Sequence, residues 1–278
     1  MTRTALVLAV LALAGCAAPA DDDRPAHAPP VGPPAASALR EAFTLVDCVG
    51  GDVTVITTVD EARANMPPGF EPGNRNDPPL QPAYGGFNLN AFVCGEVHLP
   101  NGPVLAEVPF FLWRLGAIPP AEYMEGAEDP GYCFLTWMST PQAALAQVLA
   151  AWGIGGLDNV SVEPTGMSPA TPGLHVSATS NGTVFEFSST VSPVFVPEGF
   201  GAGELVRRYF GVQAQEVLGA VDLRVNQTAG VHPGETDYSI QGGDGVFARP
   251  PGRTNGNIVD PPGITWEFER VTLPEASS

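Results

Sequence analysis

Short apolar runs separated by Gly and Pro recur along most of this chain, and they restrict it to a fold built mainly from strands. Residues 52–59 (DVTVITTV) alternate, which is typical of a strand with one buried face. Residues 104–115 and 132–138 are apolar at odd and even positions alike, which indicates strands buried on both faces. The 32 Gly and 30 Pro among 278 residues favour many turns over long helices. We expect an α+β, mostly antiparallel β fold with a barrel-like sheet.

The other predicted elements are shorter. Asp60 is expected to begin a short helix with acidic residues in its first turn. Thr140 is a suitable N-cap for a second helix, with Pro141 at its first position and Gly153 at its end. A third short helix is expected at residues 203–210. Further strands are expected at residues 87–97, 160–163, 174–178, 183–191, 217–228, 237–241, 246–249 and 264–272.

The charged residues exclude several classes of function. All 12 basic residues are Arg, so the chain has no Lys. Schiff-base catalysis, pyridoxal phosphate attachment and a Walker-type phosphate loop each need a Lys amine. The formal net charge of −18 makes nucleic acid an improbable partner, because a nucleic-acid binder neutralises phosphates with basic residues.

The first residues read as a targeting segment. Arg3 precedes the ten-residue apolar stretch 5–14, which is about half as long as a bilayer-spanning helix. The stretch ends in Leu-Ala-Gly-Cys at Cys16, which resembles the lipobox of bacterial lipoproteins, where the Cys thiol receives a diacylglycerol. An ordinary secretory signal that happens to contain a Cys is the alternative. Ala17 and Ala18 follow without an acidic residue, and in a Gram-negative host this favours the outer membrane.

The predicted division of the chain follows from that leader. Residues 1–15 are the signal peptide, and residues 16–38 are the acylated Cys and a tether rich in Pro and Ala. Residues 39–278 form the folded domain. The expected partner of Cys16 is therefore a lipid membrane, on the outer side of the cytoplasmic membrane.

Three other cysteines remain for the folded domain: Cys48, Cys94 and Cys133. An oxidising compartment favours one disulfide and one buried thiol. A Cys48–Cys94 bridge would join two neighbouring predicted strands, and by loop entropy it is worth about 4 kcal/mol. A Cys94–Cys133 bridge is the alternative, and the spacing of the cysteines does not decide between them.

Residues 66–72 (MPPGFEP) resemble the (L/M)PPGF-x-P segment of acetoacetate decarboxylase-like proteins, and the order of elements over residues 45–272 is also similar. This resemblance implies a cone-like antiparallel barrel around a small-molecule pocket, with two or three short helices. Glu107 is the nearest match to the family's pocket Glu. The family's decarboxylases use a Lys Schiff base, so a chain without Lys cannot decarboxylate by that route.

Five residues are candidates for lining a ligand pocket: Glu107, Arg114, Glu186, Arg224 and His232. Glu107 and Arg114 stand in an apolar run, either as a pocket acid and its cationic partner or as residues at the rim. Glu186 lies between two Phe, which favours either a raised pKa or a half-exposed strand. His232 is suited to proton transfer, although the adjacent Pro233-Gly234 also predicts a hairpin tip.

We expect no metal and no cofactor. Glu96 and His98 can share one face of a strand, but no third ligand lies near them in the sequence.

The first hypothesis for function is a membrane-anchored lipoprotein that binds a small, partly apolar molecule in its barrel. One alternative is a lysine-independent acid–base enzyme of lyase or isomerase type in the same pocket. Another is a structural protein of the bacterial envelope.

The lipobox interpretation makes a direct prediction. Replacing the acceptor thiol by Cys16→Ser in the full chain should prevent acylation and release the protein from membranes. Phase partitioning with a nonionic detergent and the intact mass of the purified protein measure both effects. A buried thiol gives the control, so Cys133→Ser should still partition with the detergent. A wild-type chain that retains residues 1–15 and an unmodified Cys16 thiol would contradict the interpretation.

Overall fold

The computed structural model describes residues 41–73, 85–124, 132–165, 173–191, 205–226 and 231–273. Contacts divide the chain into Met1–Ala38 and Leu39–Ser278, and every described residue belongs to the second unit. The signal peptide, Cys16 and the tether predicted above lie outside the described residues.

Most described residues are in strands. The strands are β1 Ala42–Thr57, β2 Glu71–Pro72, β3 Gly85–His98, β4 Val104–Ile118, β5 Tyr132–Thr140, β6 Gly155–Leu157, β7 Val160–Thr165, β8 Gly173–Ser180, β9 Thr183–Val191, β10 Leu205–Gln213, β11 Glu216–Asn226, β12 Val231–Gln241 and β13 Gly252–Val271. The two α-helices in the described part of the chain are α1 Val59–Ala64 and α2 Ala143–Ala151. Short 3₁₀ turns occupy Ala121–Met124 and Gly245–Phe247.

Seven strands close into a barrel. Their order is β1-β3-β4-β5-β10-β11-β13, and pairing between β13 and β1 completes the circle. All these pairs are antiparallel except β5 with β10. The prediction of a mostly antiparallel β fold with a barrel-like sheet is confirmed, and of the two or three short helices expected, two α-helices are present among the described residues.

A second layer extends from the barrel through β13. The first half of β13 pairs with β12, and the sheet continues in the order β12-β9-β8-β7. Phe111 of β4 meets Phe185 of β9 with their ring centroids 5.2 Å apart, so this sheet packs against the outside of the barrel. The apolar side chains between the two layers form the outer core.

The inner core fills the barrel. Two strands, β1 and β3, separate Phe110 of β4 from Phe268 of β13 along the sheet. Their ring centroids are nevertheless 6.3 Å apart across the interior. Trp266 packs on Phe92 of β3 in the same way, with centroids 4.6 Å apart. Helix α2 adds Trp152, whose ring is 5.3 Å from that of Phe43.

Helix α1 begins with a side-chain cap, whereas helix α2 has none. Thr58 caps α1, because its side chain accepts from the Glu61 N–H while the Glu61 carboxylate accepts from the Thr58 N–H. Helix α2 begins later than predicted, since Gln142 is its N-cap residue and Thr140 ends β5 instead. The Thr140 hydroxyl donates to the carbonyl oxygen of Pro109 at 2.9 Å, which explains its place in the strand.

Two predicted elements are wrong. Residues 203–210 do not form a helix, because the part that is described, from Leu205 onward, is strand β10 between β5 and β11. Its Val, Tyr and Phe suit a strand, and the pairing with two neighbours overrides the weak helical pattern. Residues 246–249 do not form a strand, because Val246 and Phe247 belong to the 3₁₀ turn Gly245–Phe247 and the next two residues follow it.

The disulfide is Cys48–Cys94, which decides between the two pairings left open above. The two residues are directly opposite each other on β1 and β3, and both are fully buried in the inner core. The bridge closes a loop with a sequence separation of 46 residues. Cys133 is buried, and its sulfur lies 3.8 Å from the sulfur of Met124.

A buried ion pair ties the outside of β10 to β11. Arg208 has no exposed side-chain surface, and its Nε and Nη2 donate to the two carboxylate oxygens of Asp222 at 2.7 and 2.8 Å. Arg208 also donates to the carbonyl oxygen of Tyr123 at 2.9 Å. Since each Arg208 contact is a charge-assisted hydrogen bond, this pair anchors residues 121–124 on the barrel wall.

This pair can be tested against an exposed pair of the same geometry. Asp222→Asn removes the partner of a buried cation, and we expect it to lower the free energy of unfolding by about 3–5 kcal/mol, measured by denaturant titration. Arg253 and Asp237 form a similar fork at 2.7 and 2.9 Å but are largely exposed. Asp237→Asn should therefore have little effect. Equal effects of the two substitutions would refute the anchoring role of Arg208.

Candidate functional site

Polar side chains gather on the inner face of the barrel beside the inner core. We call this group the interior polar cluster. It consists of Asp52 on β1, Asn90 on β3, Arg114 on β4, Arg207 and Tyr209 on β10, and Asn257 on β13.

Strand register brings these residues together. Asp52 lies directly opposite Asn90 on one neighbouring strand and Asn257 on the other. In β4, Trp113 and Leu115 belong to the outer core, so the alternation of side chains sends Arg114 between them to the interior. In β10, Tyr209 belongs to the inner core, and Arg207 two residues earlier shares its face.

Tyr209 is at the centre of the cluster, with 1% of its surface exposed. Its hydroxyl oxygen accepts from Nη1 of Arg114 at 3.4 Å, and Arg207 is also hydrogen-bonded to it. Burial by itself raises the pKa of Tyr209, but the charges and hydrogen bonds of the two arginines lower it more, so the pKa of this phenol lies below its usual value.

Asp52 is the one carboxyl group of the cluster. Burial raises the pKa of Asp52, and the charges of Arg114 and Arg207 and a hydrogen bond from Asn257 only partly oppose that effect. Nδ2 of Asn257 donates to Oδ1 of Asp52 at 3.0 Å. The acid of this cluster is thus harder to ionise than an exposed Asp, while its phenol is easier to ionise than an exposed Tyr.

An aromatic surface lies next to the arginine. The Arg114 guanidinium sits over the ring of Phe134 at 5.3 Å from its centroid, and Phe134 stacks on Tyr209 at 5.2 Å. Burial lowers the pKa of Arg114, but the negative forms of Tyr209 and Asp52 raise it more, so Arg114 is held as a cation. The cluster therefore combines fixed positive charge with a flat apolar wall.

Three buried N–H groups of the cluster have no acceptor among the described residues. They are Nε of Arg114, Nε of Arg207 and Nδ2 of Asn90. A buried donor without a partner costs free energy, and native proteins almost always satisfy such groups. Three such donors in one small region favour the presence of an acceptor between them, either ordered water or a ligand.

An open cavity of about 650 Å³ meets the cluster at Asn257, while Arg114, Arg207 and Tyr209 are not among the described residues of its lining. Asn257, which donates to Asp52, forms part of its lining, together with Thr54 of β1. The Thr54 hydroxyl accepts from the side-chain amide of Asn88, the residue opposite Arg114 on β3. Polar side chains thus continue from the cavity towards the cluster.

Only one of the five predicted pocket residues lies in this cluster, and it is Arg114. Glu107 is exposed at an irregular position of β4 with a φ of 52°, so it does not face the interior. Glu186 is in β9, opposite Ser177 and Ser239, on the face of the outer sheet that turns away from the outer core.

Arg224 is also separate from the cluster, and for His232 only the backbone is described. Arg224 is opposite Glu267 and shares its face of β11 with Asp222, on the outside of the barrel. His232 is opposite Ile258 in β12, and its side chain lies outside the described part of the structure. Among the side chains that the structure describes, Glu107, Glu186 and Arg224 thus do not join Arg114 in one pocket.

The other residues of the cluster were not identified from the sequence. Asp52 stands at the start of a predicted strand, where an acid is unremarkable, and Arg207 and Tyr209 were assigned to a helix. One signal was present, because Arg114, Arg207 and Tyr209 are polar positions in strongly apolar surroundings.

The described residues contain no group of three or more His, Cys, Asp and Glu side chains that could hold a metal ion. Glu96 and His98 contact each other at 2.8 Å. Within the same described ranges, no helix has both the length and the apolar character needed to cross a membrane. No protein-family model matches the chain, and no curated protein matches it.

The lowered pKa of Tyr209 gives a test of the cluster. The ultraviolet absorbance of tyrosinate should show one tyrosine titrating below the usual value of about 10. Tyr209→Phe should remove that phase. Arg114→Gln should move it to higher pH, because one of the two positive charges that lower the pKa of Tyr209 is then absent. Tyr238→Phe is the control and should keep it.

The lowered pKa of Tyr209 also predicts how the free energy of unfolding changes with pH. Because folding lowers the pKa of Tyr209, the wild type should gain free energy of unfolding relative to Tyr209→Phe as pH rises from the lowered pKa to about 10. Chemical denaturation at several pH values measures this difference. A difference that falls with rising pH would contradict the arrangement of charges.

Proposed function

We propose that this protein binds a small, partly apolar organic anion, such as a carboxylate, inside its barrel. The observation that carries this proposal is the pair of arginines around Tyr209, each with a buried Nε that has no acceptor among the described residues. Arginine presents its donors in a planar fork that matches a carboxylate.

The balance of charge supports an anion over a cation or a neutral molecule. The cluster contains two guanidinium groups and one carboxyl group, and burial raises the pKa of that carboxyl. It is therefore locally positive inside a chain whose formal net charge is −18. An anionic group between Arg114 and Arg207 would accept from donors that otherwise remain buried and unpaired.

The surroundings of the arginines support an apolar part in the ligand. Phe134 and Tyr209 offer stacked rings, and the buried Leu112 is two residues before Arg114 on the same face of β4. A short acyl chain or a ring would pack on these side chains while its carboxylate meets the arginines.

The resemblance to acetoacetate decarboxylase-like proteins is consistent with this proposal. It implies a cone-like barrel around a small-molecule pocket, and the seven-stranded barrel agrees with the coarser part of that description. The chain has no Lys and Glu107 is exposed, so the decarboxylase reaction is not part of the proposal.

We further propose that the protein is a lipoprotein anchored through Cys16 on the outer side of the cytoplasmic membrane.

Acid–base catalysis is a second candidate function. The pKa of Tyr209 is lowered and the pKa of Asp52 is raised, and opposite shifts of neighbouring groups are typical of an acid and a base in one site. Tyr209 would take or give a proton while the arginines hold the substrate anion. This activity would require the same anion-binding geometry, so binding is tested first.

Hexanoate and hexanamide are suitable probes, because they have the same shape and differ in charge. We expect calorimetry with the full chain to detect hexanoate and not hexanamide. Arg114→Gln and Arg207→Gln should each weaken hexanoate binding at least about tenfold, which is the effect of losing a charged contact worth about 1.4 kcal/mol. Arg253→Gln changes an exposed arginine and should bind as the wild type does.

Bound hexanoate should also raise the pKa of Tyr209, because its negative charge opposes the two arginines that lower it. This readout is independent of affinity and locates the anion beside the phenol. Equal binding of hexanamide and hexanoate would contradict the proposal, and so would hexanoate binding that is unchanged by both arginine substitutions.

A further inference from the structure

A second concave site lies on the outer face of the barrel wall. We call it the outer cleft, and its volume is about 520 Å³. Trp113 of β4 and Leu135 of β5 line it, while their chain neighbours Arg114 and Phe134 are in contact on the inner face. The wall therefore separates the outer cleft from the interior polar cluster, and one ligand cannot occupy both.

Two hairpin tips form the sides of the outer cleft. The β8–β9 hairpin turns at Asn181 and Gly182, which both have positive φ and suit a tight two-residue turn. The β10–β11 hairpin turns at Ala214 and Gln215, which also have positive φ although neither is Gly. Nε2 of Gln215 donates to the carbonyl oxygen of Ala64 at 2.7 Å, which holds this second tip against the end of α1.

The floor of the outer cleft is aromatic. Phe247 meets the edge of Trp113 with centroids 5.1 Å apart and the edge of Phe185 with centroids 5.5 Å apart. Phe247 belongs to the 3₁₀ turn. This turn lies so close to the end of α1 that a Cβ atom at Gly245 would be 1.9 Å from Oδ1 of Asn65. Glycine at this position thus allows the turn to approach the helix and complete the cleft.

The rim of the outer cleft is polar and almost uncharged. It carries four side-chain amides and two hydroxyls, and these come from Asn65, Asn181, Gln213, Gln215, Ser180 and Thr183. Among the lining residues that the structure describes, Asp244 is the single charged one, and none is Arg or His. A carboxylate or phosphate would meet no cation here and would face the Asp244 charge.

Ser180 is an independent sign of a ligand. Only 2% of its surface is exposed, and its Oγ has no hydrogen-bond partner among the described residues. Since Ser180 lines the outer cleft, a hydroxyl group of a bound molecule can supply the missing partner.

We infer that the outer cleft binds a neutral, hydroxyl-rich ring compound of saccharide type. Amides and hydroxyls both donate and accept, as sugar hydroxyls do, and the aromatic floor suits the C–H face of a sugar ring. The volume of about 520 Å³ lies within the range of small-molecule sites and suits a disaccharide. This site is separate from the one proposed for the organic anion.

Three neutral disaccharides serve as probes: cellobiose, maltose and diacetylchitobiose. Saturation-transfer NMR and calorimetry with the full chain should detect at least one of them. Ser180→Ala and Gln213→Ala should each weaken that binding at least about fivefold. Ser180→Ala removes an unpaired buried hydroxyl and should leave the thermal unfolding midpoint unchanged or higher, so a loss of binding is not a loss of fold.

Matched controls separate the possible outcomes. Ser161→Ala removes an exposed hydroxyl that donates to Glu163, and it should leave disaccharide binding unchanged. Arg114→Gln should also leave it unchanged, so failure of the saccharide proposal and failure of the anion proposal are distinguishable. Binding that survives both Ser180→Ala and Gln213→Ala, or no binding of any of the three disaccharides, would overturn the inference.

Discussion

The pairing of β13 with three other strands is the constraint on which the rest of the structure depends. Its 20 residues pair with β1 along most of their length, with β12 at one end and with β11 at the other. The same strand therefore closes the barrel and begins the outer sheet. Without β13, neither the inner core nor the outer core would be enclosed by strands on all sides. Both candidate sites therefore depend on the backbone hydrogen bonds of this one strand.

Alternation along β4, β5 and β10 gives the barrel wall two chemically different faces. Trp113 and Arg114 are consecutive residues, and so are Tyr209 and Phe210, but each pair divides between the outer core and the interior. One strand can thus serve a charged interior and an aromatic cleft at once. The cost is strict register, because a slip of one residue would place Arg114 in the outer core.

Local patterns in the sequence predicted the strands, α1 and the barrel, because apolar alternation and turn residues act over a few positions. They also identified Arg114, since a charge in an apolar run is a local anomaly. They did not separate Arg207 from Arg208, which are identical neighbours in sequence. The fold sends Arg207 to Tyr209 in the interior and Arg208 to Asp222 outside. Asp52 joins the cluster through pairing with β3 and with β13, and β13 comes from the other end of the domain.

The absence of Lys shapes the chemistry that such a barrel can perform. A buried Lys can lose its proton and become a nucleophile, whereas a guanidinium keeps its charge when it is buried. In this interior, burial lowers the pKa of Arg114, but Tyr209 and Asp52 raise it more, so the cation remains. An interior that relies on arginine therefore favours holding an anion and stabilising negative charge over forming a covalent bond with a carbonyl group. In the proposed anion site, Tyr209, with its lowered pKa, would be the group best placed to exchange a proton with the bound anion.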